Sequence, residues 1–112
     1  MDDYAKSVGY PIDQCQQIAC SCGATKLRLF SDDNEGGAVA ECPQCDVRLE
    51  IAESSRYLVS PVQNICTCDS ELLSLELAYA FYSGTMDPRW VYVGGGCDAC
   101  GTTGVYVDWQ ER

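Results

Sequence analysis

Eight of the nine cysteines of this 112-residue chain fall into a pattern that occurs twice, and that pattern limits the available folds more than any other feature. Cys20-Ser21-Cys22 is followed by Cys42-Pro43-Gln44-Cys45, and Cys66-Thr67-Cys68 by Cys97-Asp98-Ala99-Cys100. Each half reads C-x-C, then C-x2-C. Two turns that each present a pair of thiolates can meet tip to tip, and four sulfurs at about 2.3 Å from a central ion close a tetrahedral zinc site. Gly23 and Gly101, directly after Cys22 and Cys100, supply the backbone freedom such turns need. The expected ligands of one structural zinc are Cys20, Cys22, Cys42 and Cys45. Those of a second are Cys66, Cys68, Cys97 and Cys100.

A chain this short buries little apolar surface, so a metal framework or a disulfide scaffold is the support it needs. The compartment decides between them. Met1-Asp2-Asp3-Tyr4-Ala5-Lys6-Ser7 is acidic and polar, without the basic start and apolar core of a secretory signal. The greasiest stretch, Leu72 to Tyr82, is interrupted by Ser74 and Glu76 and is too short to span a bilayer. The expected setting is the cytoplasm, where thiols stay reduced and clusters hold metal. Four disulfides are the competing reading, weakened because a bridge within C-x-C closes a small strained ring. Iron is the lesser metal alternative, because rubredoxins are similar only in the C-x2-C pairs. Cys15, the ninth cysteine, has no adjacent basic residue to activate it and is expected to be a buried free thiol.

The expected fold is small and mainly β: two tandem zinc ribbons with four cysteines each, preceded by a short N-terminal arm. The arm covers residues 1–17, the first ribbon 18–60 and the second 61–112. In the first ribbon, Lys26-Leu27-Arg28-Leu29-Phe30 alternates, 31–37 is a polar hairpin tip, and Val47-Arg48-Leu49-Glu50-Ile51 is a third strand. Ser60-Pro61 marks the junction. In the second, Leu73, Leu75, Leu77, Tyr79 and Phe81 keep a period of two although Leu, Glu and Ala are good helix formers. The repeat favours a strand there. Trp90–Val93 and Val105–Trp109 complete the second ribbon.

Gly96-Cys97-Asp98-Ala99-Cys100-Gly101-Thr102-Thr103-Gly104-Val105-Tyr106 resembles the second half of the tetracysteine insert of type II secretion and type IV pilus ATPases. It is also similar to the C-x2-C-x-G-x-G knuckles of J-domain chaperones. The resemblance covers about a dozen residues and implies a zinc knuckle. It does not imply an ATPase, because Gly94-Gly95-Gly96 is not followed by a phosphate-loop lysine. Four thiolates leave zinc no open coordination position, and the chain has no histidine with which to build a general base or a nucleophile pair. The reading is therefore non-enzymatic.

Charge bears on the partner. The chain has 7 basic and 17 acidic side chains, a net charge of −10, and it is acidic throughout: −2 over residues 1–20, −3 over 21–60 and −5 over 61–112. Two filled four-thiolate zinc sites, each carrying −2, would bring the formal charge to −14. Nucleic-acid binders neutralise phosphates with Lys and Arg, and only Lys26, Arg28, Arg48 and Arg56 gather in one ribbon. The expectation is a basic protein partner, bound and blocked in the manner of an inhibitor or immunity protein. Trp90, Tyr92, Tyr106 and Trp109 are its candidate anchors, with the ribbon core as their alternative use. A nucleic-acid accessory ribbon and a redox or metal-handling protein are the alternative functions.

Overall fold

The computed structural model describes residues 1–111; Arg112, the last residue of the expected second ribbon, lies outside them. A six-residue helix, α1 (Asp2–Ser7), opens the chain and ends with Lys6 in its last turn. Eight strands follow: β1 (Gln14–Ile18), β2 (Arg28–Asp32), β3 (Gly37–Glu41), β4 (Arg48–Glu50), β5 (Val62–Asn64), β6 (Ser74–Phe81), β7 (Pro88–Gly96) and β8 (Thr103–Gln110). A single 3-10 turn, Ser55–Tyr57, lies between β4 and β5. The mainly β tandem-ribbon architecture is as expected, and the ambiguous segment after Leu72 is a strand.

Two ribbons alone would give two three-stranded sheets, but each sheet has four strands. Their orders are β1-β6-β7-β8 and β4-β3-β2-β5. The fourth strand in each case is borrowed. β1 leads into the first knuckle yet pairs antiparallel with β6 of the second ribbon, Gln14 opposite Tyr79 and Ile18 opposite Leu75. β5 leads into the second knuckle yet pairs with β2 of the first ribbon, Leu29 opposite Asn64 and Ser31 opposite Val62. A shift of 46 residues carries Cys20 onto Cys66 and the Ile18–Leu75 pair onto the Asn64–Leu29 pair. The chain is thus a pseudo-two-fold repeat with exchanged leading strands.

Leu27 and Leu73, equivalent under that shift, meet on the pseudo-axis. Each donates its N–H to the other's carbonyl at 2.9 Å, and both are fully buried. One apolar cluster runs through the molecule: Leu27, Leu29, Ala40 and Ile51 from the first repeat join Leu73, Leu75, Val91, Val93, Val107 and Trp109 from the second. The opposite face of β6 and β7 is covered by the arm, where Ala5, Tyr10 and Ile12 pack on Ala78, Ala80 and Tyr92. Both faces of β6 are therefore buried over Leu77–Ala80, which explains why an apolar run rich in helix formers is held extended.

Tyr92 donates its hydroxyl to the Tyr10 carbonyl at 2.7 Å, and Tyr10 stacks on Trp90 with centroids 4.7 Å apart. Two of the candidate partner anchors are consequently core residues: Tyr92 is fully buried and Trp109 nearly so. Tyr92 lies on β7, which is covered on both faces, and Trp109 of β8 belongs to the shared apolar cluster. Cys15 is corrected in the opposite sense. It is exposed on the edge strand β1, where its thiol donates to Glu76 Oε2 at 3.3 Å.

Candidate metal centres

Four turns carry the eight cysteines, and all four are built alike. The N–H of the residue following each pair donates back to the carbonyl of the pair's first cysteine: Gly23 to Cys20, Asp46 to Cys42, Asp69 to Cys66 and Gly101 to Cys97, at 2.7–3.0 Å. Closing so tight a turn takes a positive φ, which is 95° at Gly23, 60° at Asp46, 72° at Asp69 and 78° at Gly101. Glycine adopts it freely, and aspartate is among the few other residues that tolerate it. The sequence exposes two of these hinges through glycine and conceals the other two.

The turns bring together the two predicted sets, Cys20, Cys22, Cys42 and Cys45, and Cys66, Cys68, Cys97 and Cys100. Within each set all four sulfurs lie within 4.8 Å of one another. Cys20 and Cys45 Sγ are 3.4 Å apart and Cys22 and Cys42 3.6 Å; in the second set Cys66–Cys100 and Cys68–Cys97 repeat those two distances. Sulfurs at about 2.3 Å from a tetrahedral ion stand about 3.8 Å apart, so the cages have the size such an ion requires. None of the eight cysteines is in a disulfide. In each set the first cysteine of each turn is buried and the second exposed, so each centre sits half in the core and half at the surface. The two sets can each hold one metal ion.

The electrostatics of the cages also call for a cation. N–H groups of Cys45 and Gln44 aimed at the Cys42 sulfur bring its pKa down to about 7, and the Thr102 hydroxyl and N–H beside Cys100 bring that thiol to about 6. The Val47 N–H favours the thiolate of Cys45, but the neighbouring Cys20 thiol and burial prevail and push it up to about 12. The Ser70 N–H acts likewise at Cys68, where the Cys97, Cys100 and Cys66 thiols raise it to about 12. Four sulfurs this close ionise together only around a positive ion.

Lys26 connects one repeat to the other's cage. It lies four residues past Cys22, yet its ammonium donates to Ser74 Oγ at 2.7 Å and pairs with Asp98, inside the Cys97–Cys100 turn. Of the other basic residues of the suggested patch, Arg28 pairs with Glu41 at 3.4 Å and Arg56 lies over the Tyr57 ring, while Arg48 is exposed on β4, across the strand pair from Glu41. Asp32, which the sequence reading passed over, is buried at the end of β2. Its two carboxylate oxygens accept from the N–H groups of Asn34, Glu35, Val59 and Ser60, tying the hairpin tip to the junction segment. Only its position in a polar turn hinted at this. No helix among the described residues is long and apolar enough to cross a membrane. Comparison of the chain with protein-family models, with curated proteins and with solved structures found no match.

Proposed function

We propose that this is a non-enzymatic cytoplasmic protein in which two structural zinc ions brace an acidic surface, and that the surface binds and blocks a basic protein partner. Zinc is favoured over iron by the C-x-C pairs, and closed four-sulfur cages suit a structural rather than a catalytic role. The observation that carries the partner reading is the excess of 17 acidic over 7 basic side chains, a net charge of −10, together with a groove lined by carboxylates. Lys26 and Arg28 pair with Asp98 and Glu41, and Arg89 lies over the rings of Tyr10 and Tyr82. Meanwhile Asp33, Glu35, Asp108 and Glu111 line an open groove of about 590 Å³ beside Trp90. A field of one sign steers an oppositely charged partner and fixes its register.

The test is affinity capture from the protein's own cells, followed by the double variant Asp33→Lys, Glu35→Lys at the exposed hairpin tip. Support is a basic protein that binds the parent, is released by salt and is lost with the variant. Capture that ignores both salt and charge reversal removes the reading, and retention of DNA or RNA at low salt replaces it with the nucleic-acid one. Metal handling is the second reading, favoured by the exposed outer thiols of each cage. Zinc that survives mild peroxide counts against it.

A further inference from the structure

The exchanged strands bear directly on how the centres fill. Ile18, the last residue of β1, is two residues from Cys20, and Asn64, the last of β5, is two residues from Cys66. The strand that delivers the first ligand of each cage is therefore held in the other cage's sheet. Both cages also draw on one core, since the buried cysteines Cys20, Cys42, Cys66 and Cys97 all belong to the cluster that contains Leu27 and Leu73. A third link is the Lys26 ammonium, which comes from the first repeat and pairs with Asp98 between two ligands of the second cage. Outer-shell contacts of that kind orient metal ligands and tune their affinity.

From this geometry we infer that the two centres load together: a chain with one ion bound is a minority species at every metal concentration. The inference rests on the reading that both cages hold metal. Where a site exists only in the folded chain, the free energy of metal binding is also free energy of folding. Here the first ion must order both sheets to complete its own cage, because each sheet contains a strand anchored to the other repeat. The second ion then meets a cage already assembled. That difference is a coupling between sites, and it raises the affinity of the second site by the same factor whichever fills first.

Native mass spectrometry of the reduced full-length protein, equilibrated with zinc buffered by a competing chelator, reads the species directly. At half saturation, two equal and independent sites leave about half of the chains with one zinc, and a tenfold coupling leaves about a quarter. Inequality between independent sites only increases the one-zinc share, so a low value has no other origin. The expected result is two zinc ions per chain at saturation and one-zinc chains at or below about a quarter at half saturation. Two ions at saturation with half or more of the chains singly loaded overturns joint loading and leaves the metal reading standing. Absence of zinc uptake at saturation overturns both.

Discussion

Truncating Leu27 to alanine tests whether the repeats share one folding unit. Leu27 has no exposed surface, and its N–H and carbonyl bond to Leu73, so the substitution keeps both backbone bonds and removes only packing. Three carbons lost at about 0.8 kcal/mol per buried methylene give about 2.4 kcal/mol, and a cavity that cannot fully collapse brings the cost to about 3–4 kcal/mol. With a urea dependence of about 1.5 kcal/mol/M for a chain of this length, the midpoint falls by about 2 M. The assay is urea unfolding of the metal-loaded protein, followed by far-ultraviolet circular dichroism and by tryptophan fluorescence. Both tryptophans, Trp90 on β7 and Trp109 on β8, belong to the second repeat, whereas Leu27 belongs to the first. One shared unit requires the fluorescence transition to move by the full amount and to coincide with the dichroism. A fluorescence midpoint that stays at the parent value, with an earlier partial loss of dichroism, would refute the shared core.

Two glycines on facing strands have opposite expectations. A Cβ at Gly95 collides with the Ser74 carbonyl oxygen across the β6–β7 pair, backbone that cannot swing aside, so Gly95→Ala costs at least about 3 kcal/mol or prevents folding. A Cβ at Gly104, its partner on β8, would meet nothing within 4 Å and the residue has no positive φ, so Gly104→Ala should be neutral or stabilise by about 0.5 kcal/mol in thermal melts. For pH, the Ser60, Val59, Glu35 and Asn34 N–H groups hold the Asp32 carboxyl below the usual carboxylate range. A carboxyl whose folded pKa is depressed stabilises the fold fully above its unfolded value, about 3.9, and loses that contribution as pH falls through the folded value. In excess zinc, Asp32→Asn should therefore be less stable than the parent by a margin that is constant from pH 7 to about 5 and narrows below, as measured by urea midpoints.

The two four-cysteine sets and the ribbon strands were legible because they leave short-range marks. Paired cysteines must lie one or two residues apart to share a turn, and Leu73, Leu75 and Leu77 must alternate to face one core. The exchanged strands leave no such mark. β1 reads Gln14-Cys15-Gln16-Gln17-Ile18 and β5 reads Val62-Gln63-Asn64: short, polar edge strands with neither an apolar stripe nor a shared motif. Their pairing is fixed by backbone register at long range, which composition does not record. The aromatic residues misled for a related reason. A count of Tyr and Trp fits an interface or a core equally well until it is known that α1 and the Tyr10–Ile12 segment cover the outer face of β6 and β7, and only that covering puts Tyr92 inside.

Strand exchange also answers how two small ribbons without disulfides obtain an adequate interior. A lone three-stranded ribbon offers one apolar face and nothing to bury it against. Passing β1 and β5 across the pseudo-axis widens both sheets and turns their faces toward each other, with Leu27 and Leu73 at the centre and the buried cysteine of every turn on the margin of the same cluster. The repeats then diverge. The ribbon strands of the first are 5, 5 and 3 residues long and those of the second 8, 9 and 8, and only the second carries the arm. The extra length lies beyond the cages, at the ends where the sheet receives Tyr10 and Ile12 of the arm, so the elaboration enlarges the core of one repeat while the two knuckle pairs keep equivalent strand register. The four-cysteine cages and the arm-covered end therefore draw on separate residues of one structure with a shared core.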